Sequence, residues 1–421
     1  MRRPAILDTF PETTRASLTA DALSGMTVAM VAIPLSLAIA IASGADPATG
    51  LITAIIGGFL ISAFGGSHNQ IGGPTGAFIV VVYGVIAAHG YDGLVIATLM
   101  AGLILLLAGF LRAGSLIAYI PEAVIDGFTM GIAVIIGTSQ LKDFFGLSID
   151  KVPADFLEKI PALWAERGSV NAEAILVALV TMVLIVLFRR AAPKLPGLIV
   201  AVALVSMAVA MTPIDTDTIG SRFGDLARTL PAPKFPEISV ARLQELFPSA
   251  MVIAFLAGVE SLLSAMVADR MTAGKHRPNA ELIAQGIANF GSSLFGGLPA
   301  TGAIARTATN IRAGGRTPLA GIIHALTILI IMWLVAPMAG YLAMPALAGL
   351  LILTAWNMAE PHKWRAQLAK PRADQAVLLV TFLLTVLADL TIAIGVGVAL
   401  GLAVRLRRRQ VPPADWTPRE K

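Results

Sequence analysis

The chain has 421 residues, of which 56% are hydrophobic and 14% charged, with a mean hydropathy of +0.80 and a formal net charge of +5. Soluble domains carry about 25% charged residues, so this composition excludes a soluble protein and points to an integral membrane protein with many spans. No Cys is present, which excludes structural disulfides and thiolate metal sites, and the five His are scattered without ligand spacing.

The first 16 residues are polar and basic, residues 1–18 read as a cytoplasmic N-terminal segment, and the first apolar run is a full span rather than a cleavable leader. Apolar runs near the ~20-residue length of a membrane helix recur from there to the end. The alternating pattern of a β-barrel is absent, so the expected fold is an all-α integral membrane protein. Fourteen segments are expected, over 19–44, 48–64, 74–89, 93–111, 121–140, 171–188 and 194–212, then 248–269, 281–295, 301–313, 317–338, 342–358, 374–388 and 390–405. Segments 3 and 10 are too short to span alone and read as half-helices preceded by extended chain. Residues 213–247, rich in Pro and acids, read as an extracytoplasmic connector, and 407–421 as a cytoplasmic tail.

Charge orients the segments. With both termini cytoplasmic, 22 of the 31 Lys and Arg fall on the inner side, including Arg2, Arg3, Lys194, Arg277, Lys370, Arg408, Arg409, Arg419 and Lys421. Eight fall on outer loops: Lys142, Lys151, Lys159, Arg167, Arg222, Arg228, Lys234 and Arg242. The net charge therefore reflects membrane orientation. No basic stretch is interleaved with aromatics, so nucleic acid is not an expected partner.

One phrase occurs twice. Residues 64–78 read Phe-Gly-Gly-Ser-His-Asn-Gln-Ile-Gly-Gly-Pro-Thr-Gly-Ala-Phe, and 295–304 read Phe-Gly-Gly-Leu-Pro-Ala-Thr-Gly-Ala-Ile. Thr75 and Thr301 are 226 residues apart, and the same offset carries Pro34 in segment 1 onto Glu260 in segment 8. Seven segments separate the copies, and an odd number inverts the second against the first. The expected architecture is thus two inverted seven-segment repeats, 19–212 and 248–406. Paired Gly/Pro interruptions in two halves point to the binding site of a secondary transporter, where half-helix N-termini receive an anion.

The residues that suit this chemistry are few. Arg306 is the basic residue that falls inside a segment, where it costs at least ~2.5 kcal/mol to insert and should face a cavity or partner. Its fixed charge suits a carboxylate or oxyanion; a structural Arg paired with an acid is the plainer reading. Glu260, about a dozen residues into segment 8, suits proton exchange or, with nearby hydroxyls such as Ser264, help in holding Na⁺. Ser264 can equally bond its own backbone. Thr75, Gly76, Ala77 and Phe78 open half-helix 3 after Pro74, and Thr301, Gly302, Ala303, Ile304 and Ala305 lead to Arg306 in half-helix 10. The two Thr are expected N-caps, and Phe78 also suits packing. Gln285 and Asn289 share a face of segment 9 and read as interhelical hydrogen bonders. Pro121-Glu122 and Asp126 read as interfacial, and His324 and Asp389 as packing or interface residues.

At these residues the sequence resembles the sulfate permease (SulP) family of anion transporters over about residues 18–406. The carriers are Ile33-Pro34-Leu35-Ser36-Leu37-Ala38, Gly50-Leu51, Gly73-Pro74-Thr75, the run from Pro121 to Gly131, Glu260-Ser261-Leu262-Leu263-Ser264, and Thr301-Gly302 with Arg306. The resemblance implies a core domain of segments 1–4 and 8–11 moving against a gate domain of segments 5–7 and 12–14. It implies one anion site between half-helices 3 and 10, with Ser36 and Leu37 contributing from segment 1, and a homodimer in a cell membrane, the inner one of a bacterium. Family substrates include sulfate, bicarbonate, chloride and dicarboxylates. Two departures stand out. Leu35 replaces the Gln that family members often carry after the segment 1 Pro, which leaves the substrate open. Family chains usually continue into a cytoplasmic STAS domain, whereas this one stops 12 residues after Arg409 in what reads as a truncated linker.

The expected function is H⁺-coupled symport (Na⁺ being the leaner alternative) of a small anion such as fumarate, sulfate or bicarbonate by an elevator-like movement. The expected partners are that anion and membrane lipid; no cofactor beyond the coupling ion and no enzyme activity is expected, because no nucleophile–base pair, metal cluster or nucleotide loop is present. A nucleobase/H⁺ symporter of the same fold is the nearest rival, but segment 10 offers Arg306 and no acid. A channel or a non-transporting scaffold is the second.

Overall fold

The computed structural model describes residues 3–115, 120–149, 152–192, 196–388 and 390–407. Met1, Arg2, Lys151, Lys194, Asp389 and the tail from Arg408 onward, with Arg409, Arg419 and Lys421, lie outside the described residues.

The expected segments fall on helices whose ends are set by local chemistry. Segment 1 is the helix Arg15–Ala42. It starts at a capping box in which Thr14 and Ser17 each accept the other's backbone N–H, at 3.2 and 2.9 Å. Segment 2, Pro47–Phe64, starts on the Asp46 carboxylate, which accepts from Ala48 N–H at 2.8 Å. Segments 3 and 4 lie in the stretch Ile79–Phe110, two helices that meet at a kink, behind a 3₁₀ turn at Gly76–Phe78. Its backbone breaks at Gly90 (φ 73°, ψ 177°), inside the gap left between the two expected segments.

Segments 5, 6 and 7 are Glu122–Ser139, Ala172–Ala191 and Gly197–Met211. Segment 8, Val240–Thr272, begins eight residues earlier than expected. Pro248 looks like a helix start in the sequence, but it lies inside the helix, and the N-cap is Ser239, whose hydroxyl accepts from Arg242 N–H. The added turns carry Arg242, Gln244 and Glu245, so they lack the apolar signal of a span. Segments 9 and 10 are Pro278–Leu294 and Ile304–Arg312. Segments 11 to 14 are Leu319–Ala339, Met344–Met358, Arg372–Leu387 and Leu390–Arg407.

Among the described residues seven helices are long and apolar enough to cross a membrane, those of segments 1, 2, 5, 6, 8 and 11 and the kinked 3–4 stretch. The apolar helix of segment 7 is shorter.

The helices pack in two sets. Segment 9 lies along segments 2 and 4, segment 8 along segment 4, and segment 11 along segments 1 and 2. Segment 13 packs on 5 and 14, and segment 12 on 5 and 6, with 7 against 6. Small residues allow the close approach that membrane helices use in place of a hydrophobic drive. A Cβ on Gly102 of segment 4, for instance, would stand 2.7 Å from the Phe290 backbone nitrogen of segment 9.

A small antiparallel pairing joins the two halves of the chain. Gly72–Gly73 and Thr301–Gly302 lie side by side, with Gly72 opposite Gly302 and Gly73 opposite Thr301. These are the two copies of the repeated phrase, brought into direct contact.

Candidate functional site

The pairing sets the positions of the site residues. Beyond Gly73 the chain passes Pro74 and Thr75 into the turn at Gly76–Phe78; beyond Gly302 it enters segment 10 at Ile304. Gly73 has φ +145°, and a side chain there would run into the Arg306 guanidinium, so both conformation and space demand glycine. A side chain on Gly302 would land on the Gln70 amide.

Arg306 is 2% exposed, and its Nη2 donates to Ser36 Oγ at 3.1 Å and to the Pro74 carbonyl at 3.0 Å. Its Nε and Nη1 are buried and have no hydrogen-bond partner among the described residues. A guanidinium offers five N–H donors in a planar fork, so the group is fixed by two neutral acceptors while much of its donor capacity stays open. The Thr75 hydroxyl donates to Glu260 Oε2 at 2.8 Å, which ties segment 8 to the mouth of segment 3. Gly76 faces the other set of helices: a Cβ there would stand 3.2 Å from Met358 Sδ of segment 12 and 3.6 Å from Ile136 Cδ1 of segment 5. The site thus lies where the two helix sets meet.

The remaining expected residues divide. Ser36, Thr75, Glu260 and Arg306 come together through the bonds above. Leu37 and Phe78 are buried in the apolar core, Ala77 is half-buried, and Ala303 is buried. Ile304 and Ala305 are exposed. Ser264 meets Thr307 Oγ1 at 3.0 Å and so ties segment 8 to segment 10. Neither Thr acts as a side-chain cap. The Thr75 hydroxyl is used by Glu260, and that of Thr301 donates to the Ala257 carbonyl at 2.9 Å. The helix of segment 10 starts after Ala303, whose own N–H goes to the Ile71 carbonyl at 2.9 Å. Its open N–H groups therefore belong to Ile304, Ala305 and Arg306 rather than to Thr301 and Gly302.

Several polar residues that hold the site carry no sequence signal beyond being polar in an apolar neighbourhood. Gln70 donates to Ser261 Oγ at 2.8 Å and to the Ser261 carbonyl at 3.1 Å. Glu281 is fully buried and accepts from Ser261 Oγ at 2.9 Å, Gln285 Nε2 at 3.0 Å and Gly66 N–H at 2.9 Å. Asn310 accepts from Ser24 Oγ at 2.6 Å and donates to the Asn69 carbonyl at 2.8 Å. Asp21 accepts from Arg316 N–H, Thr317 N–H and the Thr317 hydroxyl. Gln285 bonds Ser261 across helices at 2.7 Å, and Asn289 holds the 296–300 strap through Ala300. Among the described residues no group of three or more His, Asp or Glu gathers as a metal site would.

A multi-pass helical membrane protein with a buried guanidinium, without an ion pair among the described residues, where two interrupted segments meet is the class that fold and site define. The chain belongs to the sulfate permease family, whose model matches residues 18–381. It is 43% identical over 389 residues to "Putative sulfate transporter YvdB" of Bacillus subtilis, covering 92% of this chain and 73% of that one. It is 32% identical over 394 residues to "Bicarbonate transporter BicA" of Picosynechococcus, covering 89% and 68%. The solved transmembrane domain of a cyanobacterial BicA superposes with a TM-score of 0.81 at 30% identity, over 92% of this chain and 98% of that domain. The structure of SLC26A9 shares the fold with a TM-score of 0.86 at 19% identity, over 97% of this chain and 68% of that one. The named relatives are transporters, not enzymes.

Proposed function

We propose that this protein is a secondary active transporter of a small anion, held by Arg306 and the N-terminal ends of segments 3 and 10. The observation that carries the reading is the Arg306 guanidinium, buried, kept in place by Ser36 Oγ and the Pro74 carbonyl, and left with open donors. A cation in a low-dielectric site is costly until an anion joins it, which makes the site selective for negative charge. The named relatives favour sulfate or bicarbonate; a C4-dicarboxylate such as fumarate has the same carboxylate chemistry.

Glu260 takes the coupling proton in this reading. With no anion bound, ionised Glu260 balances Arg306. With bicarbonate on Arg306 a protonated Glu260 keeps the site neutral, and with a dianion such as sulfate or fumarate it holds the site to one net negative charge rather than two. The neutral forms cross a low-dielectric barrier at least cost. A lone carboxylate with one hydroxyl is a lean Na⁺ site, which favours H⁺.

The movement is an elevator. Segments 1–4 and 8–11 form a core and segments 5–7 and 12–14 a gate, arranged as two inverted repeats of seven segments with both termini cytoplasmic and the protein paired as a homodimer in the cell membrane. The polar links from Gly66, Asn69 and Gln70 to segments 8, 9 and 10 support a core that moves as one body. A nucleobase symporter is disfavoured because segment 10 offers no carboxylate to hold a base.

Uptake into proteoliposomes of labelled sulfate, bicarbonate and fumarate, with and without an inward pH gradient, tests the reading. Uptake of one anion that rises with the gradient is expected. No movement of any of the three, with nucleobase uptake in their place, would overturn it.

A further inference from the structure

Away from Arg306, a cavity of about 210 Å³ opens between the first turns of segment 3 and the loops that join segments 5 to 6 and 7 to 8. Ile79, Val80 and Tyr83 line it from segment 3, and Lys142, Lys159 and Arg222 bring positive charge from the loops. Tyr83 lies about one turn into the helix that starts at Ile79, eight residues beyond Thr75. The cavity and the Arg306 site thus share one helix as a wall.

Its cations are not equivalent. Arg222 is committed to acids, 2.8 Å from Asp143 and 2.7 Å from Asp217. Lys159 is 3% exposed, and among the described residues it has neither an ion pair nor a hydrogen bond. Its ammonium stands over the Tyr83 ring, 5.9 Å from the centroid. Asp155, the N-cap of the helix Phe156–Ala165 that carries Lys159, is used by that helix, accepting from the N–H groups of Leu157 and Glu158. Burial lowers the pKa of Lys159, with Asp155 opposing the shift. The Tyr83 hydroxyl donates to the Val152 carbonyl, so the aromatic ring under the ammonium is itself held in place.

Asp143 also lines the cavity but is taken by Arg222. A buried lysine with no ion pair among the described residues, beside a cavity, calls for an anion. We infer that Lys159 forms a second, transient anion station on the extracytoplasmic side, which takes the small oxyanion before it reaches Arg306. The inference rests on the transporter reading and on the outer placement of the 141–170 loop. Lys159 acts as a capture residue: it raises the local anion concentration at one mouth of the path and leaves the translocation step alone.

The test compares the two faces of the membrane. Right-side-out and inside-out vesicles are loaded with Lys159→Met, Lys159→Arg or the unaltered protein, and initial uptake is measured for whichever of sulfate, bicarbonate or fumarate the unaltered protein moves. Lys159→Met should raise KM at the outer face about three- to tenfold, with kcat and the inner-face KM within twofold, and Lys159→Arg should restore the outer KM. An unchanged outer KM, or equal rises on both faces, overturns the station. Should Lys159→Met fail to accumulate, the unaltered protein decides: its outer KM should rise with ionic strength more steeply than its inner KM, and equal slopes overturn the station. If the unaltered protein moves no anion from either face, it is the transporter reading that fails.

Discussion

The Thr75 hydroxyl donates to Glu260 Oε2 at 2.8 Å, across 185 residues of chain. A polar side chain at the mouth of one interrupted segment is thereby bonded to the acidic side chain of a helix in the other half. The same small region holds Arg306 against Ser36 and Pro74.

Arg306→Ala should lower kcat/KM for the transported anion by roughly 30- to 1,000-fold, the range given by about 2–4 kcal/mol for removing one member of a buried, hydrogen-bonded charge pair. Ser36→Ala removes a single neutral acceptor and should cost about tenfold or less. Uptake normalised to protein in the membrane checks both. Wild-type rates in Arg306→Ala would remove the guanidinium from the site.

Glu260→Gln keeps an oxygen to accept from Thr75 but carries no exchangeable charge. Anion exchange across a membrane without a pH gradient should persist, and stimulation by an inward proton gradient should disappear. Paired uptake assays at equal and unequal pH separate the two. Persistent stimulation would assign coupling to another group.

Glu281→Ala leaves the Ser261 hydroxyl and Gly66 N–H without their acceptor, while Gln285 Nε2 keeps only its bond to Ser261. Each unsatisfied buried donor costs about 1–3 kcal/mol, so the detergent-solubilised protein should unfold several degrees earlier on heating, whereas Glu281→Gln should lose less. Equal melting curves for all three proteins would show that this network contributes nothing to stability.

Gly73→Ala combines a left-handed φ of +145° with a side chain directed at the Arg306 guanidinium. Strain of about 1–3 kcal/mol is expected at such a position, and it falls on the binding group itself. Transport should drop more than the amount of folded protein does. Comparing uptake per folded molecule, by size-exclusion chromatography, tells site damage from misfolding.

The N-terminal arm offers a pH test outside the membrane. Asp8 meets Arg277 and stands 3.3 Å from Arg3, and Ala5 is buried with its N–H on the Gly65 carbonyl at 2.8 Å. The hydrogen bond from Arg277 holds the Asp8 carboxyl below its ordinary value of 3.8. A depressed acid stabilises the docked arm above 3.8, and that contribution fades as pH falls through the lower, docked value. Hydrogen exchange of residues 3–12 should be slow at pH 7 and faster, after correction for intrinsic rates, near pH 3. Asp8→Asn should exchange quickly at both. An arm equally protected in all cases would mean that Asp8 does not hold it.

Much of the site was legible because it is written twice. The repeated phrase located both interrupted segments, and its two copies run antiparallel side by side, Gly72 opposite Gly302 and Gly73 opposite Thr301. Arg306 and Glu260 were conspicuous as charges in apolar segments. The caps were misread because a Thr before a helix favours the local bond, and here more distant acceptors, Glu260 Oε2 and the Ala257 carbonyl, take the hydroxyls. Gln70, Glu281, Asn310 and Asp21 escaped notice for the same reason. Helical periodicity tells which face of a segment a residue occupies, whereas their role comes from partners such as Ser261, Gly66, Asn69 and Thr317 in other segments.

The 65–75 stretch also bears on how the protein is made. Gly66, Asn69 and Gln70 find their partners 215, 246 and 191 residues further along the chain. During synthesis these groups emerge and reach the bilayer long before Ser261, Glu281 and Gly315 exist. Unpaired polar groups, backbone or side-chain amide, are costly in hydrocarbon. Those on Gly66, Asn69 and Gln70 stay without their native partners until the chain has been made as far as Gly315, three-quarters of the way along.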